Sequence, residues 1–139
     1  MNAEFSETEA RKYAEKYAHH VGRLPKILRT NIDYIAIHDG HNPWGGAPGH
    51  LIVHTGQGDS YEANHGGILD ETLVHEAAHA SIDGLLYHTD EWNAAVAADG
   101  RYISDYARDY PQREDVAETY LVWLATRYSQ DEFTEAQLD

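Results

Sequence analysis

His75, Glu76 and His79 lie in the stretch LVHEAAHASID, residues 73–83, and their spacing has a chemical meaning. On a helix, positions i and i+4 stand one turn apart on nearly the same face. His75 and His79 can therefore offer two imidazole nitrogens to one metal ion. Glu76 falls about 100° further round the cylinder, off the ligand line but within reach of a water bound to that metal. A base beside a metal-bound water is equipment for hydrolysis. The motif alone does not decide the matter: a shuffled chain of this composition contains H-E-x-x-H about 0.06 times.

A catalytic zinc site needs a third protein ligand and one open position. The chain has no cysteine, so any metal must rest on histidine and carboxylate. The segment YPQREDVAETY, residues 110–120, offers Glu114 and Glu118, again four apart on one helical face. We assign Glu114 as the third ligand. Glu118, one turn on, then accepts a hydrogen bond from the free ring nitrogen of a ligand histidine and fixes its tautomer. The reverse assignment of the two glutamates stays open. The expected cofactor is one catalytic Zn2+.

These residues must be held by regular elements, and the chain reads as α+β. Ser6 and Glu9 form a capping box that opens a helix with Ala10, Tyr13, Ala14, Tyr17 and Val21 on one stripe, ended by Gly22 and Pro25. NIDYIAIH (31–38) and HLIVHT (50–55) read as strands, and SYEANH (60–65) as a short third one after a tight GQGD turn. These predict a small, mostly antiparallel sheet of hairpin-linked strands around the turn-rich segment 39–49. Beyond Gly66-Gly67 the period changes. Asp70 can cap a helix whose apolar face is Leu69, Leu73, Val74, Ala77, Ala78 and Ile82, with Gly84 as its stop. A short helix follows from about Thr89 or Asp90 to Asp99, closed by Gly100 and with Asp90 and Asp99 read as caps. The last helix starts at Pro111 and turns Val116, Ala117, Tyr120, Leu121, Leu124 and Tyr128 inward. One domain over 1–139 is expected, a sheet and metal-helix half (1–83) above a helical half (84–139).

Together, HEAAHASID and DYARDYPQREDVAETY resemble the zinc peptidase domain of anthrax lethal factor and its bacterial relatives, the proline-proline endopeptidases among them. Those proteins are gluzincins, in which a glutamate ligand follows HExxH on a later helix within an E-x-x-A-E-type element. EDVAE, Glu114 to Glu118, matches that element, and the likeness runs over residues 30–128. It implies a zincin-like fold and zinc-dependent endopeptidase activity on a peptide or protein substrate. It also implies a transition-state role for a tyrosine in a Tyr-Ala-Arg-like segment. That segment is Tyr106-Ala107-Arg108 here, one residue further from the glutamate than in lethal factor, so Tyr110 competes with Tyr106 for the role. In this architecture a substrate lies along an exposed strand edge, for which HLIVHT and SYEANH are the candidates.

The bulk composition sets limits. The net charge is −14, and residues 31–139 carry four Arg against twenty acids. Such a body repels nucleic acid and anionic membrane. The imbalance serves solubility or a cleft that prefers cationic segments. No apolar run reaches membrane-span length, and MNAEFSETEARKYAEKY lacks the apolar core of a secretion signal. A cytoplasmic or a secreted bacterial protein, expected to be a monomer, fits these features. Two rivals stand beside the enzyme: a catalytically inactive zinc-binding interaction domain, and a di-metal carboxylate bundle, since Glu76 and His79 also form E-x-x-H. The latter needs four long helices. The first has no use for a base at Glu76.

Other residues carry two readings each. His38, His41, His50 and His54 are a second metal site or exposed strand ends. His65 lines a cleft or sits in a turn. Asp83 holds the helix end or a ligand histidine. Trp44 walls a cleft or covers the sheet. Trp92 and Trp123 belong to the core or its boundary, with Tyr102 and Tyr110 as exceptions to that pattern.

Overall fold

A computed structural model describes residues 4–64 and 68–128. Its first helix, α1 (Glu7–Arg23), opens on the expected capping box: the Ser6 hydroxyl accepts from the Glu9 amide and the Glu9 carboxylate accepts from the Ser6 amide. It stops before Pro25, and a single turn, α2 (Lys26–Arg29), plugs the core with Leu28.

The sheet has three strands, β1 (Tyr34–His38), β2 (Gly45–Ala47) and β3 (His50–His54), in the order β1-β3-β2. β3 runs parallel to β1, Tyr34 opposite His50 through His38 opposite His54, and antiparallel to β2. The mostly antiparallel sheet expected from the sequence is thereby corrected to a mixed one. The missing piece was β2, which lies inside the turn-rich segment. Gly-Gly-Ala has no strand propensity of its own, but Gly49, at φ 83°, turns the chain back into β3. The loop 39–44 carries the chain past the end of β3, which slots between the other two strands.

SYEANH is also corrected. It forms the second half of a helix, α3 (Thr55–Asn64), and His65 lies outside the described residues. Contacts with α1 account for the change. Lys16 Nζ meets Asp59 at 2.7 Å and Glu62 at 2.9 Å, a pair three residues apart that only a helix puts on one side. Tyr61 packs edge-on against Trp44 at 5.5 Å. Trp44 is buried, also packs on Tyr17, and donates from Nε1 to the His54 carbonyl, so it covers the end of the sheet.

The central element is α4 (Ile68–Ser81), with Leu69, Leu73, Val74, Ala77, Ala78 and Ala80 all buried. Its end is set by tertiary contacts ahead of Gly84. Gly49 donates to the Ala80 carbonyl at 3.0 Å, Asn31 Nδ2 donates to the Ser81 carbonyl, and the Ser81 hydroxyl donates to the Leu28 carbonyl. Gly84 instead sits inside a short turn, α5 (Asp83–Leu86). α6 (Asp90–Asp99) is capped by Thr89 and by left-handed Gly100, so Asp90 and Asp99 are its first and last helical residues and not its caps. α7 (Asp105–Asp109), capped by Ser104, was not expected. α8 (Pro111–Tyr128) buries Glu114, Asp115, Val116 and Ala117. Tyr128 does not turn inward: it is 81% exposed, on the last described turn of α8. No described helix is long and apolar enough to cross a membrane.

β2 and α8 grip α4 from two sides. A Cβ added at Gly46 would collide with the Glu76 carbonyl and crowd the His79 Cβ, so the β2 backbone rests directly on the H-E-x-x-H turn. Gly45 has open space. Gly46→Ala should therefore lower the unfolding free energy by about 1–3 kcal/mol, whereas Gly45→Ala should stay within about 0.5 kcal/mol of wild type. Equal urea midpoints for the two variants would contradict this packing.

Candidate metal centre

α4 sets His75 and His79 one turn apart with ring planes at 85°, and α8 crosses below so that the first turn after Pro111 delivers Glu114. Three atoms converge. His79 Nε2 lies 3.1 Å from His75 Nε2 and 3.2 Å from Glu114 Oε2, and His75 Nε2 lies 3.3 Å from the same oxygen. Among the described residues this is the group of His, Asp and Glu able to hold a metal ion. A tetrahedral ion with bonds of about 2.0–2.1 Å needs donor atoms about 3.3–3.4 Å apart. The triangle fits such an ion with little adjustment.

Proton bookkeeping leads to the same conclusion. His75 Nδ1 lies 3.1 Å from Glu118 Oε1, and His79 Nδ1 lies 2.5 Å from Asp83 Oδ2. A carboxylate only accepts, so each Nδ1 carries the hydrogen. In the neutral rings both Nε2 atoms then present lone pairs to each other and to a carboxylate oxygen. That arrangement is repulsive unless a proton or a cation sits between them. The His79 pKa reflects it: burial pushes it down, but the Asp83 hydrogen bond and the charges of Asp83, Glu114 and Glu76 hold it above the ordinary imidazole value.

Glu114 is 1% exposed, and Arg113, lying over it at the surface, donates from Nε to its Oε1 at 2.7 Å. Burial pushes the Glu114 carboxyl up. Arg113, the charge on His79 and a hydrogen bond from the Tyr106 hydroxyl together hold it below its usual value. Tyr106 comes from α7. Its hydroxyl also accepts from Arg113 Nη2 at 3.4 Å. Tyr110 packs edge-on against the Tyr106 ring at 5.4 Å, beneath the Arg113 guanidinium. Of the two tyrosines, Tyr106 is the one whose hydroxyl is joined to Glu114 through Arg113.

Glu76 stands outside the three-atom set. The Gly46 amide donates to its carboxylate, and burial, aided by the charge on Glu114, raises its pKa against the pull of His75, His79 and that amide. Glu118 uses its second oxygen to accept from the Ser104 hydroxyl at 2.7 Å.

Among the described residues, the remaining histidines are not gathered into a second metal group. His38 stacks on His54 and His50 on Tyr34, at strand positions paired across β1 and β3. His50 and His54 lie within hydrogen-bond distance of the carbonyls of Pro48 and Pro43. A cavity of about 610 Å³ between α6 and α8, lined by Trp92, Val96, Tyr102 and Asp115 among others, contains none of the three ligand residues. Sequence reasoning missed Arg113, Ser104 and Gly46. Only Ser104 had a local signal, an N-cap serine before Asp105.

Comparisons of the chain with family models, curated proteins and solved structures return no match. What the centre does must be read from its own chemistry.

The purified protein should take up about one divalent ion per chain. His79→Ala should abolish uptake in equilibrium dialysis. A ligand at a hundred times its Kd adds about 2.7 kcal/mol to stability, so metal should raise the thermal midpoint of the wild type and not of His79→Ala. The metal must displace the His79 proton. Affinity should therefore fall as the pH is lowered through the raised His79 range, and a flat profile there would contradict the assignment.

Proposed function

We propose that the protein is a zinc-dependent endopeptidase of gluzincin type on a zincin-like fold. The observation that carries the proposal is the convergence of two imidazole nitrogens and a buried carboxylate, with a further glutamate beside them and outside the set. A two-histidine, one-carboxylate donor set suits zinc, and three protein ligands leave the open position of a catalytic site. A purely structural ion would ask nothing of Glu76.

Bound there, Zn2+ supplies a water acidified towards neutrality and a Lewis acid for a peptide carbonyl. Glu76 takes the proton of the attacking water and passes it to the departing amine. Its raised pKa suits a group that must both accept and return a proton. Tyr106 donates its hydroxyl to the oxyanion as charge develops. Arg113 holds Glu114 and Tyr106 in register. Glu118 and Asp83 fix the two histidine tautomers so that Nε2 faces the ion.

The substrate is a peptide or protein segment in extended form. HLIVHT, as central strand β3, has no free edge, and SYEANH is helical, so strand addition passes to β2, the outer strand resting on α4 beside Glu76. The acidic surface favours cationic segments and disfavours nucleic acid or anionic membrane as partners. A monomer suffices, since every proposed group comes from one chain.

Zinc-loaded protein should cleave members of a peptide library. Glu76→Gln should retain the ion and lose about 10²–10⁴-fold in kcat, and Tyr106→Phe should retain it and lose about 10²–10³-fold. Wild-type turnover by Glu76→Gln on a cleaved peptide would end this mechanism.

A further inference from the structure

The Ser104 hydroxyl occupies a junction that neither the metal set nor the proposed chemistry requires. As the N-cap of α7 its oxygen accepts from the Ala107 amide at 3.0 Å. Its hydrogen goes to Glu118 Oε2 at 2.7 Å, a direction fixed because an ionised carboxylate cannot donate. The other oxygen of Glu118 accepts from His75 Nδ1 at 3.1 Å. A relay of two hydrogen bonds thus runs from a loop residue to a metal-ligating ring. The relay is also tied back on itself. α7, whose start Ser104 fixes, carries Tyr106, whose hydroxyl accepts from Arg113 Nη2 at 3.4 Å while Arg113 Nε donates to Glu114 at 2.7 Å.

We infer that Ser104 is a positioning residue for the metal: by anchoring Glu118 it holds the His75 ring in its ligating orientation and locks that orientation to the placement of α7. The Glu118 side chain is 22% exposed. Without the serine hydroxyl it can turn towards water, and His75 loses the acceptor that orients it. A cap alone would not need this residue, because Asp caps a helix as well as Ser does. The relay does need it, since Asp at 104 has no proton to give and sets a second negative charge against Glu118. Thr keeps both the acceptor and the donor.

The inference rests on metal binding by the triad and not on peptide hydrolysis. It is tested by zinc affinity, measured in competition with a chromophoric chelator, and by the visible spectrum of the Co2+-loaded protein. Loss of an outer hydrogen-bond partner of a ligand weakens binding about 10–100-fold, and Glu118→Ala should fall in that range. Ser104→Ala, acting through Glu118, should weaken zinc about 3- to 10-fold and shift the Co2+ bands. Ser104→Asp should weaken it at least as much while keeping the wild-type helical circular dichroism. Ser104→Thr should restore affinity to within about twofold. In the Glu118→Ala background, or Glu118→Gln if the former does not fold, Ser104→Ala should add nothing further. Wild-type affinity in Ser104→Ala or Ser104→Asp would overturn the relay, and so would an effect of Ser104→Ala that persists without Glu118. A wild-type protein that binds zinc but cleaves no peptide would reject the hydrolase and leave the relay standing. One that binds no zinc would reject both.

Discussion

A carboxylate as deeply buried as Glu114 must meet positive charge or give up its own. This chain meets it from three directions: the Arg113 guanidinium at one oxygen, the Tyr106 hydroxyl beside it, and at the other oxygen two imidazoles with room for a cation between them. The rest of the molecule is arranged to bring those groups to one point. α8 cannot slide along α4 without stripping Glu114 of its partners. α7 cannot tilt away without withdrawing Tyr106. The buried acid therefore acts as a register mark for the crossing of α4 and α8, a use of buried charge that adds specificity more readily than stability.

Small side chains make that crossing possible. Ala77, Ala78 and Ala117 are all 0% exposed, and Gly46 lets β2 settle onto the backbone of α4 on another side. Close approach matters because an imidazole reaches only a short way from its helix. A larger residue at Ala117 would push α8 outward and open the triangle. The same closeness brings the Gly46 amide to Glu76, so one strand both packs the helix and orients the proposed base.

Features encoded by neighbours in sequence were legible, and features encoded by distant partners were not. The Ser6–Glu9 box, Gly100 at the end of α6, and Pro111 at the head of α8 each mark a boundary with a local bond or a fixed φ, and each was placed from sequence. α3 had no such mark. Its helical state comes from Lys16 and Trp44, which lie in other elements, and its own residues alternate well enough to resemble a strand. β2 is a strand only because Gly49 folds it against β3. In the centre, His75 and His79 were readable because four residues on a helix is a local distance. Glu114 was reached through the open coordination position that two histidines leave. The Glu114 and Glu118 assignments stood open to exchange until distances separated them: one carboxylate faces both Nε2 atoms, the other faces a single Nδ1. Asp83, four residues after His79, was left between a helix-end and a histidine role, and its Oδ2 sits on His79 Nδ1. Arg113 had no signal beyond adjacency to Glu114.

The charge balance of the group suits a divalent ion better than protons. Counted at formal charge, Glu76, Glu114, Glu118 and Asp83 bring four negative charges and Arg113 one positive, so the group stands at −3 with both imidazoles neutral. Protonating both rings would relieve two of those charges, but each proton would occupy an Nε2 and set two cations 3.1 Å apart, on atoms that already face each other. A single divalent ion delivers the same charge to the midpoint of all three donors without that repulsion. What remains is −1 in formal charge, with Glu76 outside the three donors. Its carboxyl is raised by burial and by the charge of Glu114, and unlike Glu114 it has no guanidinium against it.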